Sequence, residues 1–230
     1  MRRVQTIGFI LVICLILLAS CSGKSTEEKI HSQLEEAVNK EEVFEEQQEP
    51  ITDLEKKEQE LYNQIIDLSM DDFDKIKNLS EKAISVINER SDKIATEKES
   101  MESSKEEFKK AEELIGKLED SKLKKKGQEL VEVMNNRYDA YSKLNKAYNT
   151  SLKLEKEMYK MLQKEDVEQQ ELTKKIEKIN QSYEKVLNYN KKFNEYTVEY
   201  NAIKKDFYEL AEMNVNYEDN PAGDDSAEKK

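Results

Sequence analysis

Phe73 to Leu118 reads FDKIKNLSEKAISVINERSDKIATEKESMESSKEEFKKAEELIGKL, and its periodicity decides the fold. Stepping by seven from Phe73 gives Phe73, Ser80, Ile87, Ile94, Met101, Phe108 and Ile115. The companion series gives Ile76, Ala83, Arg90, Glu97, Ser104, Ala111 and Leu118. Apolar residues at this spacing form the seam of one long amphipathic helix, predicted over about 72–118.

The same test finds two more helices downstream. Leu123, Leu130, Arg137, Leu144, Ser151 and Met158 run beside Met134, Tyr141, Tyr148, Glu155 and Leu162. Leu172, Ile179, Val186, Phe193, Tyr200 and Phe207 run beside Ile176, Tyr183, Asn190 and Thr197, then the register shifts to Ile203 and Leu210. Two short breaks separate the three helices, with Asp120 or Ser121 and then Asp166 as capping residues. Connections this short make neighbours antiparallel. Arg90, Glu97, Arg137, Glu155 and Asn190 occupy seam positions, where polar groups reduce apolar burial and fix register.

Upstream, Ile30, Leu34, Ala37 and Phe44, then Ile51, Leu54, Leu61, Ile65 and Leu68, describe a further helix. Proline removes a helix hydrogen bond and disfavours helix in the residue before it, so a break is expected at Gln48 to Pro50, with a restart near Thr52 or Asp53. The expected fold is all-α: an elongated antiparallel up-and-down bundle of three long helices plus a Pro-broken N-terminal helix.

The 230-residue chain is 38% charged and 37% hydrophobic, with 5 Gly, 2 Pro and no Trp, a composition typical of long helices. One His and two Cys leave His/Cys metal sites and Ser/His/Asp or Cys/His catalysis without their parts. No cofactor is implied. Asp71, Asp72 and Asp74 read as acids suited to a helix N-terminus, not as metal ligands.

The first residues form a secretion leader: Arg2 and Arg3, the apolar run Ile7 to Ala19, then Ser20 and Cys21. As a helix that run rises only about 20 Å, short of a bilayer's roughly 30 Å hydrocarbon core. Leu18-Ala19-Ser20-Cys21 resembles the lipobox of bacterial lipoproteins, which implies cleavage between Ser20 and Cys21 and a lipid on the Cys21 thiol. Cys14 follows Ile13, where a small residue is needed, and stays in the leader. Two acyl chains give durable anchoring where one is marginal. The expected location is the outer face of the cytoplasmic membrane. Loss of Arg2 and Arg3 with the leader moves the net charge from −12 to −14, which together with export excludes nucleic acid as a partner.

The parts expected are a leader at 1–20, a lipidated cysteine and acidic tether helix at 21–50, the bundle at 51–213 and a disordered acidic tail at 214–230. Ser25 to Glu60 holds 13 Asp or Glu against 4 Lys and reads as a solvated spacer repelled by an anionic membrane.

Ten of the eleven tyrosines lie between Tyr138 and Tyr217. Tyr141, Tyr148, Tyr183 and Tyr200 fall on core positions, whereas Tyr138, Tyr159, Tyr189, Tyr196 and Tyr208 fall beside the seam, partly exposed. Tyr189 and Tyr196, with Asn188, Asn194 and Asn201, form a candidate contact stripe for wall glycan, since rings stack on sugars and amides read hydroxyls. Lys122, Lys124, Lys125 and Lys126 form a candidate contact for an anionic polymer such as teichoic acid. Glycoside cleavage needs two carboxyls across a cleft with one pKa raised by burial, and a narrow bundle offers no obvious cleft, so no enzyme is expected.

The lipobox, the acidic helix after it and the Tyr- and Asn-rich helices, from Asn180-Gln-Ser-Tyr183 through Tyr196-Thr-Val-Glu-Tyr200, together resemble the cell-wall-binding lipoprotein family of Gram-positive bacteria, the YkyA-like proteins. The resemblance implies a membrane-anchored, extracytoplasmic helical protein in contact with the wall, and carries over only Cys21. Two roles are thus expected as alternatives: a non-catalytic binder of wall polymer, or a scaffold engaging another exported protein through an exposed apolar stripe on Ile30 to Phe44.

Overall fold

The computed structural model describes residues 24–213; Ser20, Cys21 and the expected tail lie outside the described residues. Five α-helices follow one another: α1 (Thr26–Asn39), α2 (Glu42–Ile66), α3 (Phe73–Ile115), α4 (Ser121–Met161) and α5 (Gln169–Leu210). The described residues contain no strand. At 43 residues α3 is about 65 Å long, so the molecule is a rod.

Side-chain caps start two of the helices, and of these Asp120 was expected. Ser25 accepts the Glu28 N–H while the Glu28 carboxylate accepts the Ser25 N–H, a reciprocal capping box that starts α1. Asp120 accepts from Lys122 and Leu123 N–H at 2.9 and 2.8 Å and starts α4. The last helix starts later than expected. Glu168, not Asp166, holds its cap position, and no side chain bonds there.

The N-terminal arm is in two pieces, but the joint falls at Lys40–Glu41 and not at Pro50. Pro50 lies inside α2. The carbonyl it leaves without a partner, that of Glu46, belongs to an exposed residue, so water can replace the lost hydrogen bond. What places the joint is the long-range partner of the free backbone groups there. The Ser100 hydroxyl of α3 donates to Lys40 O at 2.5 Å and accepts the Phe44 N–H at 3.1 Å, satisfying the end of α1 and the start of α2 at once.

Helix α2 packs on α3, α3 on α4, and α4 on α5, while α1 lies on the far end of α3. At that end α1 also meets α5. Tyr208 donates to the Glu35 carboxylate at 3.0 Å, Lys204 stands 3.4 Å from it, and the His31 and Tyr208 rings are 5.0 Å apart. Residues 26–39, expected as part of an acidic tether, are therefore bundle. Ile30, Leu34 and Ala37 are fully buried against Phe108, Leu130 and Phe207, so the stripe Ile30–Phe44 is core and not an exposed docking face. Burying such a stripe stabilises by about 1.5–3 kcal/mol per large side chain, which a solvated spacer would forgo.

Two apolar clusters fill the rod. One gathers Ile30–Ala37, Met101–Leu118, Leu123–Tyr141 and Phe193–Tyr208; the other gathers Ile51–Ile65, Ile76–Ile94, Tyr148–Tyr159 and Ile179. Gly127 marks the closest approach in the first, where an added Cβ would sit 2.7 Å from Ile115 Cγ2 and 3.2 Å from Phe207 Cε2.

Candidate functional site: a polar cleft between the second and last helices

Because α2 sits on α3 and α5 on α4, a gap remains between α2 and α5, floored by the two central helices. It holds a cavity of about 650 Å³. Such a volume suits a small organic ligand or a short polymer segment. The expectation that the bundle has no cleft is overturned, and the reason lies in α2, whose polar outer residues never close on α5. Gln48, Thr52, Glu55 and Tyr62 line one wall, Asn180, Tyr183 and Asn190 the other, and Arg90, Glu97, Asn145 and Tyr148 the floor.

Arg90 organises one part of the floor and is 1% exposed. Its Nη1 donates to Glu58 of α2 and, at 3.2 Å, to Glu155 of α4; its Nε and Nη2 donate to Tyr148 Oη at 3.2 and 2.9 Å. Tyr148 in turn donates to Glu55 at 2.6 Å, and Tyr183 of α5 donates to Glu155. One guanidinium thus serves two buried carboxyls. Burial, with the Glu155 charge beside it, pushes Glu58 up to about 8, against the opposing pull of Arg90. These two carboxyls converge on one nitrogen instead of flanking an open space, so no sugar bond fits between them in the manner of a glycosidase.

Two turns along α3 from Arg90, Glu97 is 6% exposed and also lines the cleft. Burial pushes its carboxyl up to about 7, and Tyr141 and Gln48 beside it oppose the shift only in part. Near the joint a second buried pair closes the first cluster. Arg137 forms a fork on Glu41 at 2.7 and 2.6 Å, donates to Thr197 Oγ1 at 2.9 Å and lies over the Phe193 ring at 4.7 Å.

The candidate stripe on α5 is split. Asn188, Asn194 and Asn201 are exposed, and Tyr189 and Tyr196 are half-buried, with Tyr196 packed on the first cluster. At about 100° per residue, Asn194 and Asn201 project about 140° away from the tyrosine pair. They share the flank of Tyr183 and Asn190 but lie beyond the residues that line the cleft, while Tyr189 and Tyr196 occupy the opposite flank. Tyr138, Tyr159 and Tyr208, expected partly exposed, are buried at 3%, 1% and 1%: Ser104 and Glu58 inside the rod, and Glu35 at its surface, engage their hydroxyls.

Nor do the four lysines act together. Lys124 Nζ donates to Gly116 O at 2.7 Å, capping α3, and Lys126 pairs with Glu129 and Asp206 at 3.1 and 3.3 Å. Lys122 and Lys125 are exposed. The sequence placed Arg90, Glu97, Arg137 and Glu155 on the seam but gave no pairing for them. Glu41 at the α1–α2 joint and Glu58 of α2, partners of Arg137 and Arg90, were hidden in an acidic run that looks solvated throughout.

The profile of YkyA, a family described as "Putative cell-wall binding lipoprotein", matches residues 25–210. The chain belongs to that family. It is similar to an "Uncharacterized lipoprotein YkyA" of Bacillus subtilis (strain 168), at 35% identity over 200 residues that cover 87% of this chain and 90% of the relative. The fold is similar to a 1.6 Å crystal structure of a conserved protein of unknown function from Staphylococcus aureus, with a TM-score of 0.61 and 19% identity, covering 82% of this chain and 98% of that one. YkyA-family membership makes this a lipoprotein-family chain, and the α2–α5 cleft is its most built feature. Among the described residues no helix is long and apolar enough to cross a membrane.

Proposed function

We propose that the chain is anchored by lipid on Cys21 at the outer face of the cytoplasmic membrane and binds cell-wall polymer in the α2–α5 cleft, without catalysis. The observation that carries this reading is the cleft itself: about 650 Å³, walled by tyrosines and side-chain amides, in a chain of a family described as cell-wall binding. Rings and amides are the groups that hold a sugar or a peptide stem. The carboxylates of the floor disfavour a phosphate polymer, and the lysine turn is partly neutralised by its own contacts.

The test is co-sedimentation of residues 22–230 with intact wall sacculi and with sacculi stripped of teichoic acid. Retention on both is expected, reduced by Tyr62→Ala with Asn190→Ala. Loss in Tyr189→Ala with Tyr196→Ala would move the contact to the other flank of α5. Loss on stripping that mild alkali does not reproduce would move it to Lys122 and Lys125. No retention on either would end the wall reading and leave the scaffold role, for which exposed Leu187 and Val198 on α5 are the available apolar contacts. Cys21→Ala should abolish incorporation of labelled fatty acid.

A further inference from the structure

Among the described residues Glu97 stands apart from every other buried charge. Glu58 and Glu155 have Arg90, and Glu41 has Arg137. Around Glu97 the groups that act on it are Gln48 from α2 and Tyr141 from α4, and no cation from any helix is among them. Arg90 cannot turn to it, because all three of its nitrogens are engaged elsewhere. A carboxyl without a counter-charge inside a protein normally disappears or finds a cation. Beside it on the cleft floor, Asn145 is 8% exposed; its Oδ1 accepts from Asn149, and its Nδ2 has no acceptor. Asn145, with its unused donor just beneath the surface, and the unpaired acid therefore line one cavity.

We propose that Glu97 and Asn145 form a subsite for a ligand that carries a primary ammonium group and an oxygen acceptor, so that the cleft selects an amine-bearing wall component. This rests on the reading of the cleft as the wall-binding site. The ammonium supplies the missing counter-ion to Glu97, and Asn145 Nδ2 donates to a carbonyl or hydroxyl of the same ligand. A phosphate would meet Glu55, Glu97 and Glu155 with only the occupied Arg90 to attract it. Binding requires the ionised carboxylate. Because burial holds Glu97 up to about 7, affinity is full above that value and falls as pH drops through it.

The experiment titrates residues 22–230 with Nα-acetyl-lysine amide and with its Nε-acetylated analogue, followed by NMR at pH 8 and pH 5, where the lysine ammonium is charged throughout. The ammonium probe is expected to bind at least about tenfold more tightly than the analogue at pH 8, the size of one charge-assisted hydrogen bond, and to lose that advantage at pH 5 and in Glu97→Gln. Equal binding of the two probes, or an advantage untouched by pH and by the substitution, would overturn the subsite. The pH comparison in the unaltered chain decides the matter even if the variant fails to fold.

Sacculi then identify the source of the amine. Retention lost after mild alkali assigns it to ester-linked aminoacyl groups, and retention lost only after acetylation with acetic anhydride assigns it to peptide amines. Undiminished retention on acetylated sacculi overturns the ammonium subsite and leaves wall binding standing. Absence of retention on every preparation overturns wall binding, and the lysine probes alone then decide the subsite.

Discussion

Glu97→Gln should stabilise the fold at pH 8 and do nothing at pH 4. The side chain is 6% exposed, and burial raises its carboxyl from 4.5 to about 7. A carboxyl whose folded pKa lies above the unfolded value binds its proton more tightly in the native state. Its stabilising effect is complete below about pH 4.5 and is lost as pH rises through 7. Each unit is worth about 1.4 kcal/mol, so ionising Glu97 costs the native state about 3 kcal/mol by pH 8. Glutamine keeps the shape of the side chain beside Tyr141 and Gln48 and never ionises. Urea unfolding of both chains at half-unit steps from pH 4 to 8.5 should therefore give a difference that grows from near zero to about 3 kcal/mol, half-developed near pH 6, midway between the unfolded and folded values, and level above 7. In melting temperature this is roughly 6–12 °C for a chain of this size. All other titrating groups are common to both chains and cancel. A flat difference across the range would refute the account of Glu97 as a buried acid lacking a counter-ion.

Arg90→Met leaves Glu58 and Glu155 without the guanidinium they share, so it should lose about 3–5 kcal/mol at pH 8, which the urea midpoint checks. Arg137→Ala strands the Glu41 carboxylate at the α1–α2 joint and should cost a similar amount, whereas the double change with Glu41→Ala should cost much less than the sum, as a double-mutant cycle would read. Pro50→Ala restores the N–H missing from the interior of α2 and should stabilise by about 2 kcal/mol, measured by urea unfolding. Gly127→Ala gains helix propensity of about 1 kcal/mol but drives a methyl into Ile115 Cγ2, so a net loss of about 1 kcal/mol is expected in the urea midpoint at unchanged slope.

The three long helices were legible because their seams repeat over five or more heptads, and a signal of that length outweighs any local exception. The N-terminal arm was misread for the opposite reason. Pro50 is a strong local signal, yet the carbonyl it leaves free is that of exposed Glu46, which water can serve, so the helix carries the cost without breaking; Lys40–Glu41 carries no breaker, and its joint is set by Ser100 sixty residues away and by Arg137 farther still. The tyrosines divided along the same line. Tyr141 and Tyr200 sit on the seam and are buried, while Tyr138 and Tyr208 are drawn in by Ser104 and Glu35, contacts that only the folded rod creates. The cleft was invisible for a related reason: it is a gap between α2 and α5, and periodicity reports which faces pack but not which helices remain apart.

A narrow rod has little apolar area to spare, which gives the placement of Glu97 its meaning. Asn190, another polar seam residue, stays exposed beside the cleft and burdens nothing, and Arg137 is fully paired. Glu97 is buried, unpaired and directed into the one described cavity that all of α2 to α5 line, at a cost of about 3 kcal/mol against a typical total of 5–15. Leucine or glutamine there would remove that cost without disturbing the seam. Sites that lower stability while contributing nothing to packing are where function is concentrated in otherwise consistent folds. The same substitution thus yields two opposite results from one cause: Glu97→Gln should strengthen the fold at pH 8 and weaken capture of an ammonium group there. If the fold strengthened and binding were unchanged, the acid would be a flaw of packing alone.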